Sequence, residues 1–139
     1  MHLMAIDTYI LSNPDLRKLK LICINMNHET LEVISRSIVN SKIQSLALDQ
    51  NQLRDNGAAT VANIITQTKT LSKLKLDSCE IKLVGMMKIL DALKLNSSIV
   101  KFKAAGNHFQ ASRRMLAIIG DLVVYHNRTL RFLNLSLHD

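Results

Sequence analysis

Short stretches in which apolar and polar residues alternate recur along the chain, and this period of two predicts short strands with one buried face. The clearest three begin at Ile43, Leu71 and Ile99, 28 residues apart. Each follows the pattern L-x-x-L-x-L-x-x-N/C-x-L, with other large apolar residues in some leucine positions and an alanine in one. Looser copies begin at Leu16 and Leu130. Five segments in one register predict a repeat architecture.

Between the predicted strands the apolar period lengthens to three or four residues, which predicts amphipathic helices. Apolar residues recur at this spacing after Gly57 and after Gly85. We interpret both glycines as helix-opening residues that adopt backbone dihedrals unfavourable for other side chains. A polar residue stands three positions before each strand segment and predicts a helix-ending turn with left-handed backbone. These residues are Asn13, Asn40, Thr68, Asn96 and Asn127.

The ninth position of the pattern holds Asn51, Cys79 and Asn107 in the three clearest units. The chain turns away from the strand there, so backbone groups leave the sheet ladder and need other hydrogen-bond partners. A buried amide side chain supplies such partners. The first unit departs from the pattern because Ile24 occupies its ninth position.

Strand, turn, helix and turn repeated in this way predict an α/β solenoid of about four or five repeats, with a curved parallel sheet on the concave side and helices on the convex side. The 28-residue period, the Asn/Cys column and the two helix-opening glycines resemble the ribonuclease-inhibitor-type leucine-rich repeats. The resemblance extends over nearly the whole chain and implies protein binding through the curved surface. It is weaker in the first unit and in the fourth, which spans 31 residues and has Arg113 and Arg114 at its predicted helix start.

The length of 139 residues suits a single domain, so we expect one domain over residues 1–139, either whole or as a fragment of a longer array. Two cysteines are too few for a disulfide framework, no basic leader precedes the first apolar residues, and no apolar run is long enough for a membrane span. These features favour a cytoplasmic protein. The abundance of Lys, Asn and Ile fits a secreted effector that acts in a host cytosol.

The net charge of +7 favours acidic partners. Positions three, five and seven of the pattern point out from the concave sheet face, and six of the eleven lysines occupy them. We therefore expect this face to bind an acidic protein surface, with nucleic acid or anionic lipid as the alternative partner of the same lysines. The alternative to binding is a solvated face whose lysines prevent sheet aggregation. A purely structural spacer within a larger protein is the third interpretation of the function. The candidate partner-binding residues are Lys18, Lys20, Lys73, Lys75, Asp77, Lys101, Lys103 and Phe132.

Four of these lysines, from two neighbouring strands, are expected to form a compact square, because neighbouring strands lie about 4.8 Å apart. Like charges opposite one another are unfavourable, which favours a partner that neutralises them. The square comprises Lys73, Lys75, Lys101 and Lys103. Phe132 is expected to be an exposed anchor beside this square, or part of a surface that further sequence of a longer array or another copy of the chain covers. We also expect the segment Leu130–Leu137 to contribute to self-association.

Catalytic and metal-binding patterns are not found in the sequence. The five histidines have no metal-ligand spacing, and the chain has neither a glycine-rich phosphate loop nor a nucleophile elbow. Cys79 occupies a structural position of the repeat and is expected to be an inert core thiol. We therefore expect a protein that is not an enzyme and that carries no metal or cofactor.

Overall fold

Five strands of three residues each pair in parallel and in chain order, in the computed structural model that describes residues 3–136. The strands are β1 (Lys18–Lys20), β2 (Ser45–Ala47), β3 (Lys73–Lys75), β4 (Lys101–Lys103) and β5 (Phe132–Asn134). The helices are α1 (Leu3–Ser12), α2 (His28–Val39), α3 (Arg54–Gln67), α4 (Leu83–Leu93) and α5 (Arg113–Asp121), and α5 continues into a π-helix at Leu122–His126. The predicted α/β solenoid, with its sheet on the concave side and its helices on the convex side, is confirmed.

The central residue of each strand is apolar, and these residues pair in register across the whole sheet. Helix residues such as Leu31, Ile64 and Leu90 pack behind them and are buried. Full burial of one such side chain contributes about 1.5–3 kcal/mol, so the stacked layers supply most of the stability. The central residues are Leu19, Leu46, Leu74, Phe102 and Leu133.

The predicted polar column ties each unit to the one before it. The Asn107 side-chain oxygen accepts hydrogen bonds from the backbone N–H groups of Cys79 and Ile81, at 3.0 and 3.1 Å. Its amide nitrogen donates to the carbonyl oxygens of Leu76 and Ala104, both at 2.9 Å. Asn51 does the same for the turn of the first unit. One side chain thus satisfies backbone groups of two units.

Cys79 fills the same position in the third unit, with a thiol in place of an amide. Its Sγ donates to the carbonyl oxygen of Leu48 at 3.2 Å. Burial raises the pKa of the Cys79 thiol to about 12, so the group stays protonated at physiological pH. A buried, protonated thiol is a poor nucleophile, as expected for a core residue.

The residues that end the helices do not have the left-handed backbone that we predicted. Four of the seven positive φ angles in residues 3–136 lie instead at the eighth pattern position, where the chain leaves the strand, and the other three are those of Asn25, Arg54 and Glu80. The predicted positions are not among them. Asn96 shows the reason, because its side-chain oxygen accepts from the N–H groups of Ser98 and Ile99 and so starts the next strand with ordinary backbone angles. The eighth-position residues with positive φ are Cys23, Gln50, Ser78 and Gly106.

The interpretation of Gly57 and Gly85 was also wrong, because both have ordinary helical backbone and serve close packing instead. A Cβ atom on Gly85 would lie 2.5 Å from Asp55 Oδ1 and 2.9 Å from Ala58 Cβ. Asp55 is held there because its carboxylate accepts a hydrogen bond from the N–H of Lys82 at 2.8 Å, at the start of α4. The glycine therefore allows α4 to approach α3.

The additional residues of the fourth unit lie in the turn before α5, which begins at Arg113 as expected. Ser112 caps this helix by accepting from the N–H of Met115. At the other end, Asp121 is close to Lys94 of the preceding unit, with 3.3 Å between Nζ and Oδ2, and this contact raises the pKa of Lys94. Within residues 3–136, the helices are too short or too polar to cross a bilayer.

Candidate functional site

The outward-facing residues of the strands form two rows across the concave face. The register between neighbouring strands is exact pair by pair, so residues at the same pattern position stand side by side. The sheet order places β2, whose two outward residues are small, between the lysine-bearing strands β1 and β3, and the third lysine-bearing strand, β4, follows β3. The first row is Lys18, Ser45, Lys73, Lys101 and Phe132. The second row is Lys20, Ala47, Lys75, Lys103 and Asn134.

Two of the predicted lysines are paired with aspartates of the preceding unit. Lys75 Nζ lies 3.4 Å from Asp49 Oδ2, and Lys103 Nζ lies 3.8 Å from Asp77 Oδ2. The other oxygen of each carboxylate accepts a backbone hydrogen bond from the next unit, Asp49 from the N–H of Asp77 and Asp77 from the N–H of Ala105. Both aspartates therefore link successive units and partly neutralise one lysine each.

Lys101 has a different partner. Its Nζ lies over the ring of Phe132, 4.8 Å from the ring centre. Such a cation–π contact contributes about 0.5–1 kcal/mol where it is exposed. Phe132 is 45% exposed, so the contact leaves much of the ring on the surface.

The four lysines of the expected square therefore have the predicted positions, but the ammonium groups of three of them contact other side chains. Lys73 faces Lys101, and Lys75 faces Lys103, as the pattern indicated. Of these four lysines, only Lys73 lacks a side-chain partner from another unit among residues 3–136. Lys18 and Lys20 of β1 are exposed as well, and in the same part of the chain no carboxylate lies within 4.0 Å of their ammonium groups.

Sequence reasoning missed the Asp–Lys pairs, although a signal for them is present. Aspartate occupies the seventh pattern position in two successive units, and lysine occupies the fifth position of the unit that follows each. Asp49 is buried, so the seventh position links one unit to the next and is not an open part of the binding face. Asp77 has the same geometry but is only partly buried.

A separate hollow of about 480 Å³ opens beside the turns that follow the strands. It is lined in part by Arg54, Glu80 and His108. Arg54 Nε lies 3.8 Å from Glu80 Oε1, and Asp55 is occupied by the N–H of Lys82. Arg54, Glu80 and Asp55 thus have partners within the protein, and we place the candidate site on the concave face instead.

Comparisons with known proteins agree with this architecture. A family model described as Leucine Rich repeat matches residues 39–62, which contain β2 and the first part of α3. A solved structure of Leiomodin-1 Actin-Binding Site 2 has a TM-score of 0.77 and 20% sequence identity, and the match covers 99% of this chain and 77% of that one. The chain has the fold of a leucine-rich-repeat solenoid. The tropomodulin C-terminal domain of Caenorhabditis elegans has a TM-score of 0.83 and 17% identity, over 100% of this chain and 85% of that one.

The prediction of leucine-rich repeats is therefore confirmed, whereas the ribonuclease-inhibitor-like subtype stays a prediction. No curated protein matches the sequence of this leucine-rich-repeat chain. At 17–20% identity, the likeness to the two solved structures establishes the shared fold.

Proposed function

We propose that this leucine-rich-repeat protein is a non-catalytic protein-interaction module, one domain over residues 1–139, whose concave basic face recognises an acidic protein surface. The observation that carries the proposal is the set of three exposed lysines on this face, Lys18, Lys20 and Lys73, without a carboxylate partner among residues 3–136. Clustered charge of one sign attracts an oppositely charged partner and raises its rate of association.

The two lysines that have aspartate partners differ in available charge from Lys18, Lys20 and Lys73, and this difference supports the assignment. Lys75 and Lys103 each have an aspartate within 4.0 Å, so part of their charge is balanced inside the protein. The charge of the other three is available to a ligand. Replacement of Lys75 or Lys103 by glutamate would place two carboxylates next to each other and disturb the contact between units. These two positions are therefore unsuitable for testing binding.

One structural neighbour also supports protein binding. The leiomodin-1 domain is described as an actin-binding site. Leucine-rich-repeat proteins share a curved surface, but the fold alone does not determine the partner. We therefore propose a protein partner and take actin as the first defined probe.

The expected location follows from the thiols. Cys23 and Cys79 are both free, which suits a reducing compartment. We propose that the protein acts in the cytoplasm, or in the cytosol of a host cell if it is a secreted effector.

The test is a triple charge reversal, Lys18→Glu, Lys20→Glu and Lys73→Glu. Because attraction becomes repulsion at three positions of the face, we expect the affinity for an acidic protein partner to fall by about 100-fold or more. Affinity capture from cell lysate at physiological salt measures the loss, and binding to purified actin measures it for a defined protein.

The matched control has the same change in net charge on surfaces away from the sheet. It carries Lys69→Glu, Lys88→Glu and Arg114→Glu, which lie in a turn, on α4 and on α5. Its affinity should change by less than about fivefold, since exposed charges farther than a Debye length are largely screened. Identical protein capture by all three forms would contradict the proposal. Loss of nucleic acid or anionic lipid alone would establish the alternative ligand instead.

We also propose that the β5 edge contributes to self-association. Leu130, Leu133 and Leu135 are only half-buried and pack against the core, while Leu137 lies outside the described residues. Within residues 3–136, β5 pairs with β4 on one side only, and an unpaired edge favours contact with another strand. Sedimentation velocity over a concentration series should show a dimer at high concentration, and a persistent monomer would contradict this proposal.

A further inference from the structure

The two small residues of β2 lie between lysines on both sides. In the first row Ser45 stands between Lys18 and Lys73, and in the second row Ala47 stands between Lys20 and Lys75. Ala47 is 3% exposed because the longer side chains on each side cover it, whereas Ser45 is partly exposed. The lysine stems on each side therefore rise above a low floor. We call this feature the lysine trough.

The spacing of the trough follows from the sheet. Strands lie about 4.8 Å apart, so the lysines of β1 and β3 are separated by about 10 Å across β2. Along each wall, alternate residues of a strand lie about 6.6 Å apart. The trough is thus wide enough for one extended chain, and its two positive positions repeat at the spacing of alternate residues in such a chain.

Strand β4, on the far side of β3, has no such depression. Both outward residues of β4 are lysines, Lys101 and Lys103, and they reach toward Phe132 and Asp77. Beyond the floor of the trough, Asp49 is buried and bonded to Lys75 and to the N–H of Asp77. Its carboxylate repels a further anion, so it closes the basic surface at the end where β2 leaves the sheet.

We infer that the lysine trough binds one extended acidic peptide segment in which carboxylates alternate with small residues. This inference rests on the proposed function and specifies its partner. One carboxylate lies over Ser45, between Lys18 and Lys73, where the serine hydroxyl is a further donor. The next lies over Ala47, closer to Lys20 because Lys75 is shared with Asp49. The aromatic residue on this face, Phe132, is three strands away, so the trough offers no stacking surface for bases.

The test fills the trough without changing its charge. The variant Ser45→Leu/Ala47→Leu raises the floor, and Ala105→Leu is the matched control, since it adds the same side chain at an outward position next to β4. Fluorescence anisotropy measures binding of a labelled peptide with three glutamates at alternate positions. A second peptide has three glutamates at every third position, which sends successive carboxylates to opposite sides of an extended chain.

We expect the filled variant to bind the alternating peptide about tenfold or more weakly, and Ala105→Leu to bind it within about twofold of the native chain. The native chain should also prefer the alternating peptide over the other by about tenfold. Circular dichroism and thermal unfolding establish that each variant is folded. If the double leucine variant does not fold, Ser45→Val/Ala47→Val replaces it with less added volume.

Each other result has a defined meaning. If the triple lysine reversal abolishes binding but the filled variant does not weaken it, the trough is wrong and the basic-face proposal stands. If neither change affects the peptide, or if the peptide does not bind at low salt, the trough is overturned; the lysate and actin captures then decide the broader proposal. If the native chain binds a single-stranded oligonucleotide more tightly than the alternating peptide, and the filled variant loses this binding, the trough is a nucleic-acid site. That result would overturn the proposal of a peptide ligand.

Discussion

Replacement of Asn107 by alanine is expected to lower the free energy of unfolding by about 3–5 kcal/mol, the largest effect that we predict for a single side chain. Asn107 is 3% exposed and makes four hydrogen bonds of 2.9–3.1 Å to backbone groups of two units. Alanine leaves those groups without partners in a buried turn, where each unsatisfied group costs about 1–3 kcal/mol before relaxation. Urea unfolding followed by circular dichroism measures the difference.

The matched control is Asn63→Ala, because Asn63 is exposed on α3 and alanine is the better helix former. Its stability should stay the same or rise slightly. Asn107→Cys provides an intermediate test, since Cys79 shows that this position accepts a thiol that donates to a carbonyl oxygen. We expect it to lose about 1–2 kcal/mol less than the alanine variant. A loss below about 1 kcal/mol for Asn107→Ala would show that the turn holds without its side-chain bonds.

Replacement of Gly85 by alanine should lower the free energy of unfolding by about 2–3 kcal/mol, although alanine normally favours a helix. The added Cβ would lie 2.5 Å from Asp55 Oδ1, 2.9 Å from Ala58 Cβ and 3.0 Å from Asp55 Cα. The last two contacts involve atoms fixed by α3, so α4 must move outward. This movement also disturbs the hydrogen bond from the N–H of Lys82 to Asp55.

Gly120→Ala is the control for this substitution. Gly120 lies in α5, and a Cβ there would meet no other atom within 4 Å. Alanine should therefore stabilise the helix by up to about 1 kcal/mol. Thermal and urea unfolding of both variants distinguish packing from helix propensity. If the two substitutions shift stability in the same direction, the close approach of α3 and α4 is not what Gly85 provides.

The fold was predictable because its main signal is repeated. Alternation gives each strand a buried face, and five segments with equal spacing leave one consistent register for the apolar residues. Leu46, Leu74 and Phe102 therefore pair as the sequence indicates. The polar column was predictable for the same reason, since Asn51 and Asn107 recur where backbone groups need partners.

The parts that were not predictable depend on distances between units. Gly85 was assigned to a backbone role because the sequence does not show how closely α4 approaches Asp55. The pair between Lys75 and Asp49 depends on how far a lysine stem reaches past the end of the neighbouring strand. The pattern thus indicated which lysines stand side by side on the sheet, whereas the pairing of their charges depends on contacts between units.

The buried amides give the solenoid a direction. Asn51 and Asn107 each bond to the turn of the preceding unit. Asn96 donates to the carbonyl oxygen of Ile65, and Asn127 donates to that of Leu93, which in each case lies in the helix of the preceding unit. Each unit is therefore completed by its successor, and the structural building block is offset from the 28-residue repeat of the sequence. When a unit unfolds at the C-terminal side, the turn of the unit before it loses the side chain that completes it. When a unit unfolds at the N-terminal side, the turn of the next unit keeps the side chain that completes it, because that side chain comes from the unit that follows. Grafting of single repeats between proteins of this kind succeeds only when the amide and the turn it completes are moved together.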